Sequence, residues 1–266
     1  MLKKLLFILV ISGITLAAKA NPLENADEII KRANLASYYA GADGRSEVRM
    51  IISDAQGRKQ RRQFTVLRRD VENGGDQQFL VVFSQPSDVR NTVFLVDKHV
   101  DRDDDRWLYL PGLDLVKRIS AGDQRTSFVG AHYFYEDVSG RSPADDTHEL
   151  LETTDEFYVL KHVPKAGQSV EFTSYMTWID RASFLPMKIE YENASGTLYR
   201  RVEVLKVEDI GGHPTVTASR VSDLLANGKT DMQFRYIKYD TGLPEQVFTE
   251  RSLRNPPREW LQRPTD

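Results

Sequence analysis

The chain has 266 residues, 40% hydrophobic, 28% charged and 10% aromatic, with a net charge of −3 and no cysteine. This is the composition of a folded chain rather than a disordered or collagen-like one. The lack of thiols excludes disulfides, zinc-thiolate sites, cysteine nucleophiles and a lipidated N-terminal cysteine, and the mild acidity gives no global pull toward nucleic acid.

The N-terminus carries an export signal. Lys3 and Lys4 precede an apolar stretch from Leu5 to Leu16, and Ala18-Lys19-Ala20 has the small-x-small pattern of a cleavage site. About 12 apolar residues fall short of the roughly 20 needed to span a bilayer as a helix. Residues 1–20 are therefore expected to be removed as a signal peptide. The remaining chain, 21–266, is then exported, and its net charge becomes −6.

The next segment predicts a helix ending near Tyr39, with Asn21 as its cap and Pro22 at its first position. Leu23, Ala26, Ile29, Ile30 and Ala33 recur at three- and four-residue spacing and form one apolar face. Beyond Gly41 and Gly44 the pattern changes to period two. Val48, Met50 and Ile52 lead, followed by Phe64 and Val66, Phe79 to Phe83, Val93 to Val96 and Trp107 to Leu110. Later strands are expected at Phe157–Leu160, Val170–Ile179, Met187–Glu192, Leu198–Val207, Pro214–Arg220 and Thr230–Tyr239. On the order of ten strands joined by short turns predict a mainly β fold with an antiparallel sheet. The polar stretch Ser139–Thr154 is the nearest thing to a domain boundary, but with no linker or repeat the expectation is one domain over 21–266.

Several strands are apolar on both faces. Phe79, Val81 and Phe83 oppose Leu80 and Val82, while Trp107 and Tyr109 oppose Leu108 and Leu110. A sheet with one wet face alternates apolar and polar, so here both faces are at least partly covered. A sandwich meets this condition. So does a strongly curved sheet around an inner element, for which the N-terminal helix is the candidate, and such a sheet is wide enough to enclose a ligand cavity.

Catalytic and metal signatures fail on spacing. Asp101-Arg102-Asp103-Asp104-Asp105 starts like a calcium loop, but Arg106 and Gly112 stand where Gly and Glu are required. The histidines His99, His132, His148, His162 and His213 show no four-residue pairing, and no G-x-S-x-G elbow or phosphate loop is present. No enzymatic activity, metal or cofactor is expected. Arg58-Lys59-Gln60-Arg61-Arg62 and Arg68-Arg69 are basic clusters suited to an acidic partner or lipid headgroups.

One set of motifs goes further. Ser84-Gln85-Pro86-Ser87-Asp88-Val89-Arg90 leads into Val93-Phe94-Leu95, and Trp107-Leu108-Tyr109-Leu110-Pro111 is followed by Lys117-Arg118-Ile119-Ser120, Ser127-Phe128-Val129-Gly130 and Tyr135-Glu136-Asp137. In order and spacing the chain resembles the outer membrane lipoprotein-sorting proteins of the LolA/LolB-like superfamily, from Val48 to the terminal Phe248–Leu253. Ala131-His132 departs from that pattern, which expects a small hydroxyl residue and an acid.

The resemblance implies a single strongly curved antiparallel sheet, a half-open β-barrel of about 11 strands, with the N-terminal helix and short helices covering its concave face. It implies a periplasmic carrier of lipid or lipoprotein acyl chains, accompanied by an RND-type inner-membrane exporter and making transient membrane contact. The alternative is an accessory subunit of such an exporter without cargo of its own. The expected cavity residues are Leu23, Ile29, Ile30, Trp107, Tyr109, Phe128, Phe134 and Trp178, with Arg118 at the rim for a headgroup.

Overall fold

The computed structural model describes residues 23–263. The expected signal segment, Asn21 and Pro22 lie outside them. Helix α1 (Ala26–Tyr38) is capped instead by Asn25, whose side chain accepts a hydrogen bond from Glu28 N at 3.0 Å. Asp27 and Glu28 sit in its first turn, where the helix dipole favours acids.

Among the described residues one antiparallel sheet of 13 strands follows. Its first half is β1 (Asp43–Ser53), β2 (Lys59–Asp70), β3 (Gln77–Gln85), β4 (Val93–Lys98), β5 (Asp105–Leu110) and β6 (Leu115–Arg118). Its second is β7 (Asp146–Thr153), β8 (Phe157–Pro164), β9 (Phe172–Asp180), β10 (Pro186–Asn193), β11 (Leu198–Ile210), β12 (His213–Asp223) and β13 (Gly228–Tyr239). Each half is a meander, and β1 pairs with β13 to join them, leaving β6 and β7 as open edges. So wide a twisted sheet curls on itself, giving a half-open barrel.

Two strands exceed the expected count. β6 is four residues long with two cations, and β7 runs through the polar stretch Ser139–Thr154. Both are edge strands, where half the backbone and most side chains face solvent, so apolar alternation is weak.

Residues 119–145 cross from one edge to the other and carry α2 (Glu136–Ser139). Phe128 from this crossing is fully buried, with its ring 5.6–6.1 Å from those of Phe64, Phe83 and Phe94. The main core lies there, between the crossing and the concave face of β1–β5.

The helices do not all cover that face. The C-terminal tail, with α3 (Glu250–Arg254) and α4 (Arg258–Leu261), packs on the outside against Leu67, Leu80, Val82, Val93 and Leu95. Asp43 anchors the tail, its carboxylate accepting from the backbone N–H groups of Thr241, Gly242 and Leu243 at 2.7–2.9 Å. This second covering explains why β3 and β4 are apolar on both sides.

Candidate functional site

A cavity of about 460 Å³ lies between α1, the crossing segment and the concave face of the sheet. Three walls build it. From α1 come Ile30, Ala33 and Ala36; from β2 and β3 come Phe64, Val66, Phe79 and Val81; and from β11 to β13 come Val202, Val216, Met232 and Phe234. Period-two alternation supplies the sheet walls, because every second residue points inward. The size falls within the roughly 300–1,000 Å³ of small-molecule sites.

The position of α1 is fixed at both ends. Ile29 and Ala33 pack on Tyr158, Leu160 and Ile179. At the C-terminal end Arg68 takes up carbonyls that have no partner inside the helix: it donates to Tyr38 O, to Ala40 O at 2.6 Å and to Gly41 O at 2.8 Å. Gln77 Nε2 also donates to Tyr38 O, at 2.8 Å. Arg68 is thus a buried structural cation and not part of the surface basic cluster.

One end of the cavity is polar. His148 Nε2 donates to Pro143 O at 2.9 Å, leaving its Nδ1 to accept from His162 Nδ1 at 2.7 Å; Thr177 Oγ1 then donates to His162 Nε2 at 2.8 Å. The His162 ring is neutral in this chain of bonds. Burial, and the neighbouring His148, push His162 down to about 3. Tyr175 stacks on His162 at 4.4 Å and donates to Asp146 at 2.7 Å.

Charged groups near this end are compensated. Arg141 grips Asp146 through two 2.8 Å bonds and reaches Glu136 at 3.1 Å. Arg125 pairs with Glu136 and with Glu171, and Arg200 with Asp137. Lys98 donates to Ser139 O and to Gly140 O at 3.4 Å, pinning the crossing, and burial lowers its amine to about 8. Among the described residues the cavity therefore offers apolar walls and neutral hydrogen-bonding groups, and the charged side chains at its polar end are paired with one another. Such a space takes an uncharged chain, because burying an unpaired ion is too costly.

Of the residues singled out in the sequence, Ile30 and Phe128 line the cavity. Leu23 and Ile29 pack beneath α1, and Leu23 N donates to Tyr158 OH at 3.0 Å. Trp107 and Tyr109 are on the outer face with the C-terminal tail, where Arg254 lies over the Tyr109 ring. Trp178 also points outward, with Lys188 Nζ 3.4 Å from its ring centre. Phe134 lies under Arg125 and Arg200, at 5.0 and 4.4 Å. Arg118 is on edge strand β6, 69% exposed and paired with Asp105, away from the cavity. For Trp107, Tyr109 and Trp178 the cause is that, in a strand apolar on both sides, alternation separates two faces without saying which is concave. The polar group His148, His162, Tyr175 and Arg141 was missed because it assembles from three strands and the crossing, with no local spacing to reveal it. At the departure noted above, His132 uses its backbone N–H and its Nδ1 against Thr230 Oγ1, at 3.1 and 2.8 Å.

Among known proteins, a family model described as "uncharacterized protein" matches residues 75–255. No curated protein matches the chain. Solved structures do. One described as an outer membrane lipoprotein-sorting protein domain, from Vibrio parahaemolyticus, is 26% identical, with a TM-score of 0.78 over 86% of this chain and 98% of its own. A DUF1329 family protein from Desulfovibrio piger is 27% identical, also with a TM-score of 0.78, over 85% of this chain and 97% of its own. A LolA superfamily protein from Nitrosomonas europaea is 21% identical, with a TM-score of 0.66 over 85% and 98%, and shares the fold. With its half-open sheet and inner helix, the chain belongs to the family whose model, described as an uncharacterized protein, matches residues 75–255, and it shares its fold with the outer membrane lipoprotein-sorting domain, the DUF1329 protein and the LolA superfamily protein.

Proposed function

We propose that residues 21–266, freed of the signal peptide 1–20, act as one periplasmic carrier unit that shields a lipid or lipoprotein acyl chain on its way to the outer membrane. The cavity of about 460 Å³ is the observation that carries this reading. Each CH₂ taken out of water contributes about 0.8 kcal/mol, so an acyl chain crosses an aqueous space only inside such a shield. Ile30 and Phe128 are contacts for the chain on α1 and on the crossing. The family resemblance further supports an RND-type exporter of the inner membrane as the source of the load.

A carrier fits the polar end better than a hydrolase does. Thr177 donates to His162 as a nucleophile would to its base, but an imidazole held near 3 is a poor proton acceptor at neutral pH. Shielding itself needs no bond chemistry.

Titration of delipidated protein with a fluorescent polyene fatty acid tests the reading. Saturable one-to-one binding, displaced by phospholipid, is expected. A protein that shows no saturable binding, yet associates with the periplasmic part of an exporter, would instead be the accessory subunit without cargo.

A further inference from the structure

Charge on the outside of the sheet is unevenly placed. The register sets Lys59, Ser53 and Lys229 in one row across β2, β1 and β13, and Arg61, Ile51 and Asp231 in the next. With Arg49 one step further along β1, these strands present four exposed cations, Arg49, Lys59, Arg61 and Lys229, on the face turned away from the cavity. None has a carboxylate partner among the described residues. The nearby acids are already committed: Asp54 to Arg58 at 2.6 Å, Asp231 to Arg220 at 2.6 Å, and Asp223 to the backbone of Leu225 and Ala226. Asp88 lies 4.0 Å from Arg62. On a chain whose overall charge is negative, this is a local positive surface.

The same end of the sheet bears apolar tips. The β12–β13 turn lifts Leu225, 62% exposed, next to Lys229, and the pairing of Ser53 with Lys229 brings the β1–β2 turn alongside. At that end too, the β5–β6 turn holds out Leu113, 73% exposed. These are the two most exposed large hydrophobic residues among those described. A carboxylate-bearing protein partner would be met by cations in recesses with matched hydrogen bonds. Here the cations stand on an open convex surface beside bare leucines, the combination that suits a charged headgroup layer over an apolar interior.

We propose that this rim, with the adjoining outer face of β1, β2 and β13, docks the protein on an anionic lipid surface. Lys59, Arg61 and Lys229 sit over headgroup phosphates, Arg49 adds longer-range attraction, and Leu225 and Leu113 enter the interface. The proposal deepens the carrier reading and rests on it for its purpose, which is to bring the carrier to a membrane for loading or delivery.

Co-sedimentation with vesicles of mixed phosphatidylglycerol and phosphatidylcholine, against phosphatidylcholine alone, tests it on the full exported chain. Wild type is expected to bind the anionic vesicles, to release them in high salt and to ignore the neutral ones. Neutralising one cation weakens partitioning about five-fold, so the triple variant K59Q/R61Q/K229Q should lose about a hundred-fold. Leu225→Asn should weaken binding to anionic vesicles without changing its salt dependence. Equal binding to both vesicle types, or an unaltered triple variant, overturns the proposal. Retention on immobilised polyglutamate with no vesicle binding also overturns it and assigns the surface to an acidic protein. All four side chains are exposed, so the variants should fold, and their uptake of the fluorescent fatty acid in solution should match wild type. Failed vesicle binding with intact uptake sinks only the docking surface, whereas failed uptake by wild type sinks the carrier reading.

Discussion

Gly140 shows how one residue holds the crossing segment in place. Its φ is +79°, and a Cβ at this position would clash with the Tyr38 side chain. Two penalties, the left-handed backbone and the clash with α1, fall on any side chain at this position. Gly140→Ala should cost about 1–3 kcal/mol in urea unfolding; an unchanged midpoint would mean that the Tyr38–Gly140 contact is not formed. His162 offers a second test. Because its folded value is lowered below that of a free imidazole, the unfolded chain binds the extra proton first, and stability is lost as pH falls from about 6.5 toward about 3. In the folded protein the His162 ring signals should not titrate between neutral pH and about 4, whereas a midpoint near 6.5 by NMR would contradict the buried neutral ring. Neither feature was legible from the sequence. A glycine and two histidines 14 residues apart acquire meaning only when the crossing and strands β7 to β9 come together.

Among the elements, α1 divides its apolar face between two tasks. Ile29 is fully buried against Tyr158, Leu160 and Ile179, while Ile30, one residue on, lines the cavity. Ile29→Asp should therefore destabilise the fold by about 3–5 kcal/mol, through an unpaired buried charge. Ile30→Asp should keep the fold and weaken fatty-acid binding at least about ten-fold, by placing a charge among apolar walls. Folded Ile30→Asp protein with wild-type binding would remove α1 from the site. The spacing of Leu23, Ala26, Ile29, Ile30 and Ala33 gave the helix and its apolar face from sequence. It could not divide that face between sheet and cavity, since adjacent isoleucines are chemically alike. The eleven apolar strands were readable and the edges β6 and β7 were not, because Asp146–Thr153 is held by backbone pairing to β8, with little apolar pattern of its own.

At the scale of the whole molecule, one sheet serves two surfaces. Its concave side, closed by α1 and the crossing, encloses the cavity, and the outer side of β2 to β5 is sealed by the C-terminal tail. That tail is why Trp107 and Tyr109, the most conspicuous aromatics in the sequence, stand outside the cavity they were expected to line. On the part of β1, β2 and β13 that the tail leaves open stands the positive surface. The eleven apolar strands, the helix and the family motifs were present in the sequence, whereas the choice of face depends on long-range closure of β1 on β13, which local periodicity does not encode. That the enclosed space holds an acyl chain is tested by native mass spectrometry of protein purified gently from its host. A protein ion carrying an added mass that extracts into organic solvent and proves to be an acyl lipid or lipoprotein is expected. A bare protein ion from every preparation, with no mass gained on incubation with lipid, would contradict it.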